Sequence, residues 1–117
     1  MAMPLIRVHT SAAAPAEPLR LLQELSRQLA SLLGKPERYV MTSLQADLTM
    51  TFAAEPAPAC YVEVKSIGAL DGERTRRISS VLCDLLHREL QVPPDRIYIG
   101  FEDVPPQLWG WDGRTFA

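Results

Sequence analysis

The chain spells one plan twice, and that repetition limits what it can fold into. Each half runs from an alternating apolar segment through an amphipathic helix to a proline-bearing stop and a second apolar segment. Lys35-Pro36-Glu37-Arg38-Tyr39-Val40 answers Pro93-Pro94-Asp95-Arg96-Ile97-Tyr98 at an offset of 58 residues, and Leu5 answers Tyr61 at 56. This is a tandem β-α-β pair, a repeat of architecture more than of sequence. Right-handed crossovers make the strands within each half parallel, and two such units joined edge to edge give one four-stranded mixed sheet. The fold class is therefore α/β in the α+β sense, with both helices on one face. A single domain is expected over residues 1–117, with pseudo-repeat halves of about 4–58 and 59–117.

Local patterns place the elements. Residues 5–10 alternate as a strand, with Ile6 and Val8 on one face and Leu5, Arg7 and His9 on the other. Pro18 suits the first turn of a helix, along which Leu22, Leu25, Leu29, Leu32 and Leu33 recur at three- and four-residue steps. Gly34 is the expected left-handed stop, and Pro36 prevents continuation. Residues 39–45 form the next strand, and Met50-Thr51-Phe52 is expected as a short strand paired near it. Tyr61 to Ile67 alternates again. A second helix spans residues 73–91, with Ile78, Val81, Leu82, Leu85, Leu86 and Leu90 as its buried stripe. Residues 97–102 complete the sheet, and the tail carries Trp109, Trp111 and Phe116.

With both helices on one face, the other face is left open. It carries Arg7, Glu63 and Lys65, but also Leu5, Tyr61 and Ile67. A partly apolar uncovered sheet in a chain of 117 residues predicts self-association. The net charge of −2 gives no general reason to expect nucleic acid or an anionic membrane as partner. No stretch approaches the roughly 20 apolar residues of a membrane span, and Arg7 and His9 interrupt the only apolar segment near the start. The sequence thus predicts a cytoplasmic address, with any export leaderless. Cys60 and Cys83 form no motif; buried free thiols are the expectation, and nothing has the spacing of a zinc site.

Pro4 has two chemistries open to it. Inside a chain it is an inert tertiary amide that tolerates the start of a strand. As the first residue it is a rigid, basic secondary amine. Met-Pro is readily trimmed, so a start at Met3 exposes that amine and a start at Met1 does not.

Several pieces together resemble the macrophage migration inhibitory factor family of the tautomerase superfamily, over essentially the whole chain. They are Met3-Pro4, Gly34-Lys35-Pro36, Ser66-Ile67-Gly68, Pro94-Asp95-Arg96-Ile97-Tyr98-Ile99, and Gly110-Trp111 with Thr115-Phe116-Ala117. The resemblance implies a homotrimer with pockets between neighbouring subunits and a cofactor-free keto–enol tautomerase of the phenylpyruvate and dopachrome type. By position, Pro4 is implied as the catalytic base, with its amine pKa lowered by burial and by Lys35. Lys35 would hold the substrate's carboxylate or carbonyl oxygen, and the Ile67 backbone N–H would donate to the same region. Tyr98 would reach in from a neighbouring subunit, while Tyr39, Trp109, Trp111 and Phe116 wall the pocket. The expected ligand is a small aromatic 2-keto acid, without metal or cofactor.

Each residue also has a plainer role open to it. Lys35 is placed like any cation at a helix C-terminus, Tyr98 like an ordinary strand tyrosine, and the tail aromatics like edge packing. Where the family usually has an asparagine two residues beyond the tyrosine, this chain has Gly100, and a substrate-side hydrogen bond is lost. The vertebrate Cys-x-x-Cys pair is replaced by Ala59 and Val62, so no thiol-oxidoreductase role carries over. An alternative function is a cytokine-like factor that binds a protein receptor or partner. That reading gains if Ala2 and Met3 are retained, because an acylated Pro4 nitrogen has no free lone pair. Hydration or dehalogenation by the same proline would need further arginines and a catalytic carboxylate, for which no positions are assigned.

Overall fold

The computed structural model describes residues 4–117, so whether Ala2 and Met3 precede Pro4 in the mature protein lies outside the described residues. The elements follow the order β1 (Leu5–Thr10), α1 (Pro18–Leu33), β2 (Met41–Gln45), β3 (Cys60–Ser66), α2 (Gly72–Leu90) and β4 (Ile97–Asp103). A small hairpin of β5 (Gly110–Trp111) and β6 (Arg114–Thr115) closes the chain. The four long strands form one sheet in the order β2-β1-β3-β4. β1–β2 and β3–β4 are parallel and the central β1–β3 pair is antiparallel. The mixed sheet expected from two joined β-α-β units is what forms.

The core lies between the sheet and the two helices. Ile6, Val8, Val62 and Val64 are fully buried from the sheet side, and Leu25, Leu29, Ile78, Leu82 and Leu86 meet them from the helices. Alternation along β3 puts Tyr61, Glu63 and Lys65 on the opposite, uncovered face. Among the described residues no helix is long and apolar enough to cross a membrane.

Both helices are ended by left-handed residues. After α1, Gly34 has φ 65°; its N–H donates to Ser31 O at 3.3 Å and the Lys35 N–H to Ala30 O at 2.9 Å. Those two bonds satisfy carbonyls that the last turn would otherwise leave open. α2 begins under Asp71, whose Oδ1 accepts from the Arg74 N–H at 2.8 Å. It ends at Gln91, a non-glycine residue at φ 58° whose N–H donates to His87 O.

Five expectations need correction, the simplest being Val81, which is half-buried while the rest of the expected α2 stripe is buried. Tyr39 and Val40 are not in β2; a 3₁₀ turn over Glu37–Tyr39 follows Pro36, and the Val40 N–H donates to Glu37 O at 3.0 Å. Met50-Thr51-Phe52 is no strand: Phe52 only bridges Glu55, around Ala53 and Ala54, both left-handed at φ 54° and 63°. The buried stripe of α1 is Leu21, Leu25, Leu29, Ala30 and Leu33, while Leu22 and Leu32 are half-buried. The helix is rotated by a fraction of a turn because the core side follows a single i, i+4, i+8 row. Ile67 is only 8 % exposed and not part of the open face, because β3 ends at Ser66 before the alternation reaches it.

Candidate active site

At one end of the open sheet face, residues from all four strands fall in a single row. Register places Met41 beside Leu5, Leu5 beside Lys65, and Lys65 beside Glu102. All four line a cavity of about 600 Å³, with Pro4 immediately before Leu5 and Val104 just past the end of β4. Pro4 is buried, and its carbonyl accepts from the Met41 N–H at 3.1 Å, so the edge ladder holds the proline at the sheet's end.

The chain after β4 builds the far wall. Pro105 starts a short 3₁₀ turn, the Phe116 N–H donates to Pro106 O and Trp109 O, and β5 and β6 turn tightly at Asp112 and Gly113. Asp-Gly is the dipeptide that a two-residue hairpin of this kind demands, since both positions need positive φ. This folding brings Leu108, Trp109, Trp111 and Phe116 onto the cavity. Trp111 stacks on Phe116 with ring centroids 5.7 Å apart, and Tyr39 and Trp111 meet at right angles with centroids 6.0 Å apart. Tyr39, Val40 and Arg38 contribute the third side from the turn ahead of β2.

Five of the eight residues singled out from sequence therefore share this cavity: Pro4, Tyr39, Trp109, Trp111 and Phe116. Lys35, Ile67 and Tyr98 are not among its lining. Lys35 follows the left-handed Gly34 at the end of α1 and is half-buried. Ile67 sits in a tight loop in which the Gly68 N–H donates to Asp103 Oδ1 at 2.8 Å and Ser66 Oγ to Gly68 O at 3.0 Å. Tyr98 is 65 % exposed and packs on Phe52 at 4.8 Å. It lies four residues before Glu102 on β4, about 13 Å along the strand at 3.3 Å per residue. Within one protomer it is thus far from Pro4.

Sequence reasoning missed Arg38, Met41, Lys65, Glu102 and Leu108 as cavity residues. Lys65 and Glu102 face each other across β3 and β4 with Nζ and Oε1 3.9 Å apart. Their signal was the period-2 alternation, but only the strand register brings them to Pro4's row. Among the described residues no group of three or more His, Cys, Asp or Glu side chains is placed to hold a metal ion. The chemical resource of the cavity is a buried proline within an aromatic wall, with two cations and one carboxylate at its edge.

Comparison with known proteins matches residues 3–117 to the family model described as macrophage migration inhibitory factor. The macrophage migration inhibitory factor of Meriones unguiculatus is 39 % identical over 115 residues, covering 98 % of this chain and all of that protein. The Trichinella spiralis homolog is 32 % identical over 114 residues, covering 97 % of this chain and all of that protein. Among solved structures, the Prochlorococcus marinus homologue superposes with a TM-score of 0.95 at 59 % identity, covering 97 % of this chain and 99 % of that one.

Proposed function

The chain belongs to the macrophage migration inhibitory factor family of the tautomerase superfamily, and from that premise we propose that it is a cofactor-free keto–enol tautomerase of small aromatic 2-keto acids. Phenylpyruvate is the type of substrate intended, with dopachrome-like compounds as surrogates. The observation that carries this reading is Pro4 itself, buried and lining an aromatic-walled cavity of about 600 Å³. An aromatic substrate body suits walls of Tyr39, Trp109, Trp111 and Phe116.

In this mechanism the Pro4 amine, freed of preceding residues, carries a proton between the carbonyl oxygen and the adjacent carbon. In ketonisation it takes the enol O–H proton and delivers it to that carbon as the C=O bond forms, and in enolisation it runs the same steps in reverse. Lys35 and the Ile67 backbone N–H stabilise the negative charge that develops on the carbonyl oxygen. Tyr98 serves the pocket of a neighbouring subunit in a homotrimer. Its distance from Pro4 along β4 and its exposure support that arrangement. The open sheet face, with Tyr61 and Tyr98 exposed, supports self-association.

The test is phenylpyruvate ketonisation by protein whose intact mass shows a start at Pro4, beside its Pro4→Gly variant. Loss of a positioned base should slow turnover by about 10²–10⁴-fold. Equal rates in the two proteins would remove Pro4 from the mechanism.

A further inference from the structure

The cavity edge carries two cations, Arg38 and Lys65, and one carboxylate, Glu102. Lys65 stands 3.9 Å from Glu102, so its charge is already partnered. Arg38 makes no ion pair and no side-chain hydrogen bond among the described residues. Its guanidinium carbon lies 4.7 Å from the centroid of the Tyr39 ring, and Tyr39 is in turn braced by Trp111 in a perpendicular ring contact. A guanidinium laid over a ring face keeps its N–H fork directed outward in its own plane. That fork matches a carboxylate in bidentate geometry. Lys35 does not line the cavity, which leaves Arg38 as its one unpartnered cation among the described residues.

Resting on the reading of this cavity as the substrate site, we propose that Arg38 is a specificity-determining residue that takes the substrate's carboxylate. The aromatic body then lies against Trp109, Trp111 and Phe116. The arrangement favours ligands with one aromatic end and one acid end over their uncharged analogues.

Binding can be read without turnover, because Trp109 and Trp111 line the cavity and their fluorescence reports occupancy. The probes are 3-phenylpropanoate and 3-phenylpropanamide, titrated into the full chain and into Arg38→Gln. Arg38 is exposed on a short turn, so the substitution leaves the core untouched. The expected result is that Arg38→Gln weakens the carboxylate about tenfold, as for one charge-assisted contact at a wet rim, and leaves the amide unchanged. Unchanged carboxylate affinity, or equal loss for both probes, would overturn the assignment while leaving the Pro4 mechanism untouched. If the unsubstituted protein binds neither probe, the cavity is not the substrate site and both readings fall.

Discussion

The hydroxyl oxygen of Tyr61 stands 3.3 Å from the point where a Cβ on Gly100 would sit. The two residues are diagonal neighbours on the open face of β3 and β4, where Tyr61 is in register with Tyr98. Gly100 does not have a left-handed backbone, so nothing but this contact opposes a side chain there. A strand glycine replaced by alanine should gain about 0.5–1 kcal/mol from reduced backbone freedom. Displacing the Tyr61 ring by a few tenths of an ångström offsets that gain.

Gly100→Ala alone is therefore expected to leave urea stability within about 0.5 kcal/mol of the parent. In a Tyr61→Phe background the same substitution should be stabilising, since the hydroxyl is gone. A double-mutant cycle measures the coupling directly. Zero coupling would mean that Tyr61 swings away without cost and does not shape this part of the face.

Gln91 ends α2 at φ 58°, a conformation that costs a residue with a Cβ roughly 1–2 kcal/mol relative to glycine. Part of that is returned because glycine also loosens the unfolded chain. Gln91→Gly should raise the free energy of unfolding by about 0.5–1 kcal/mol. The urea midpoint should rise with no change in slope. A fall in the midpoint would show that the Gln91 side chain contributes contacts larger than the backbone strain.

What the sequence disclosed about this fold was local and periodic. Alternation in Ile6 and Val8 and in Val62 and Val64, and leucines at helical spacing, define the layers, and crossover handedness then determines the sheet order. The Met50-Thr51-Phe52 error has an equally local cause. Two alanines in left-handed conformation make a tight turn without the Gly or Asn that would announce one. The cavity was half legible. Pro4 and the tail aromatics stand out as residue types, whereas Lys65 and Glu102 become neighbours only through the parallel register of β3 and β4. Arg38 carries no signal of its own in the sequence, because its place over the Tyr39 ring depends on the 3₁₀ turn of Glu37–Tyr39.

Both cysteines have thiol pKa values raised above the ordinary one, chiefly by burial; for Cys60 a hydrogen bond with Thr10 partly opposes this. A raised folded-state value means that the fold favours the neutral thiol. The corresponding stability is intact below the unfolded-state value, about 8.5, and is lost as pH climbs through the folded values. The parent should therefore lose stability above about pH 8.5 more steeply than Cys60→Ala, whose own cavity penalty is independent of pH. Parallel stability–pH curves would contradict the burial of this thiol. At neutral pH, Cys60 should react with a disulfide reagent only on unfolding.

Arg96 ties the hairpin around Ala53 and Ala54 to the start of β4. Its Nε donates to Pro58 O at 2.8 Å, and Nη2 to Ala57 O at 2.8 Å and Glu55 O at 3.1 Å, with a long contact from Nη1 to Phe52 O at 3.5 Å. The guanidinium also lies 5.3 Å from the Phe52 ring, and that ring supports Tyr98. Without the fork, two left-handed alanines and a single bridge would have to hold the turn unaided. Lysine keeps the charge but cannot reach several carbonyls at once. Arg96→Lys should cost about 1.5–3 kcal/mol. It should also speed hydrogen exchange at the Phe52 and Glu55 amides, which bond each other's carbonyls at 3.0 Å. Adding Ala53→Asn with Ala54→Gly supplies residues that favour this turn and should restore much of the protection. If exchange at those two amides is the same in Arg96→Lys as in the parent, the turn holds itself, and Arg96 has no part in positioning Phe52 or Tyr98.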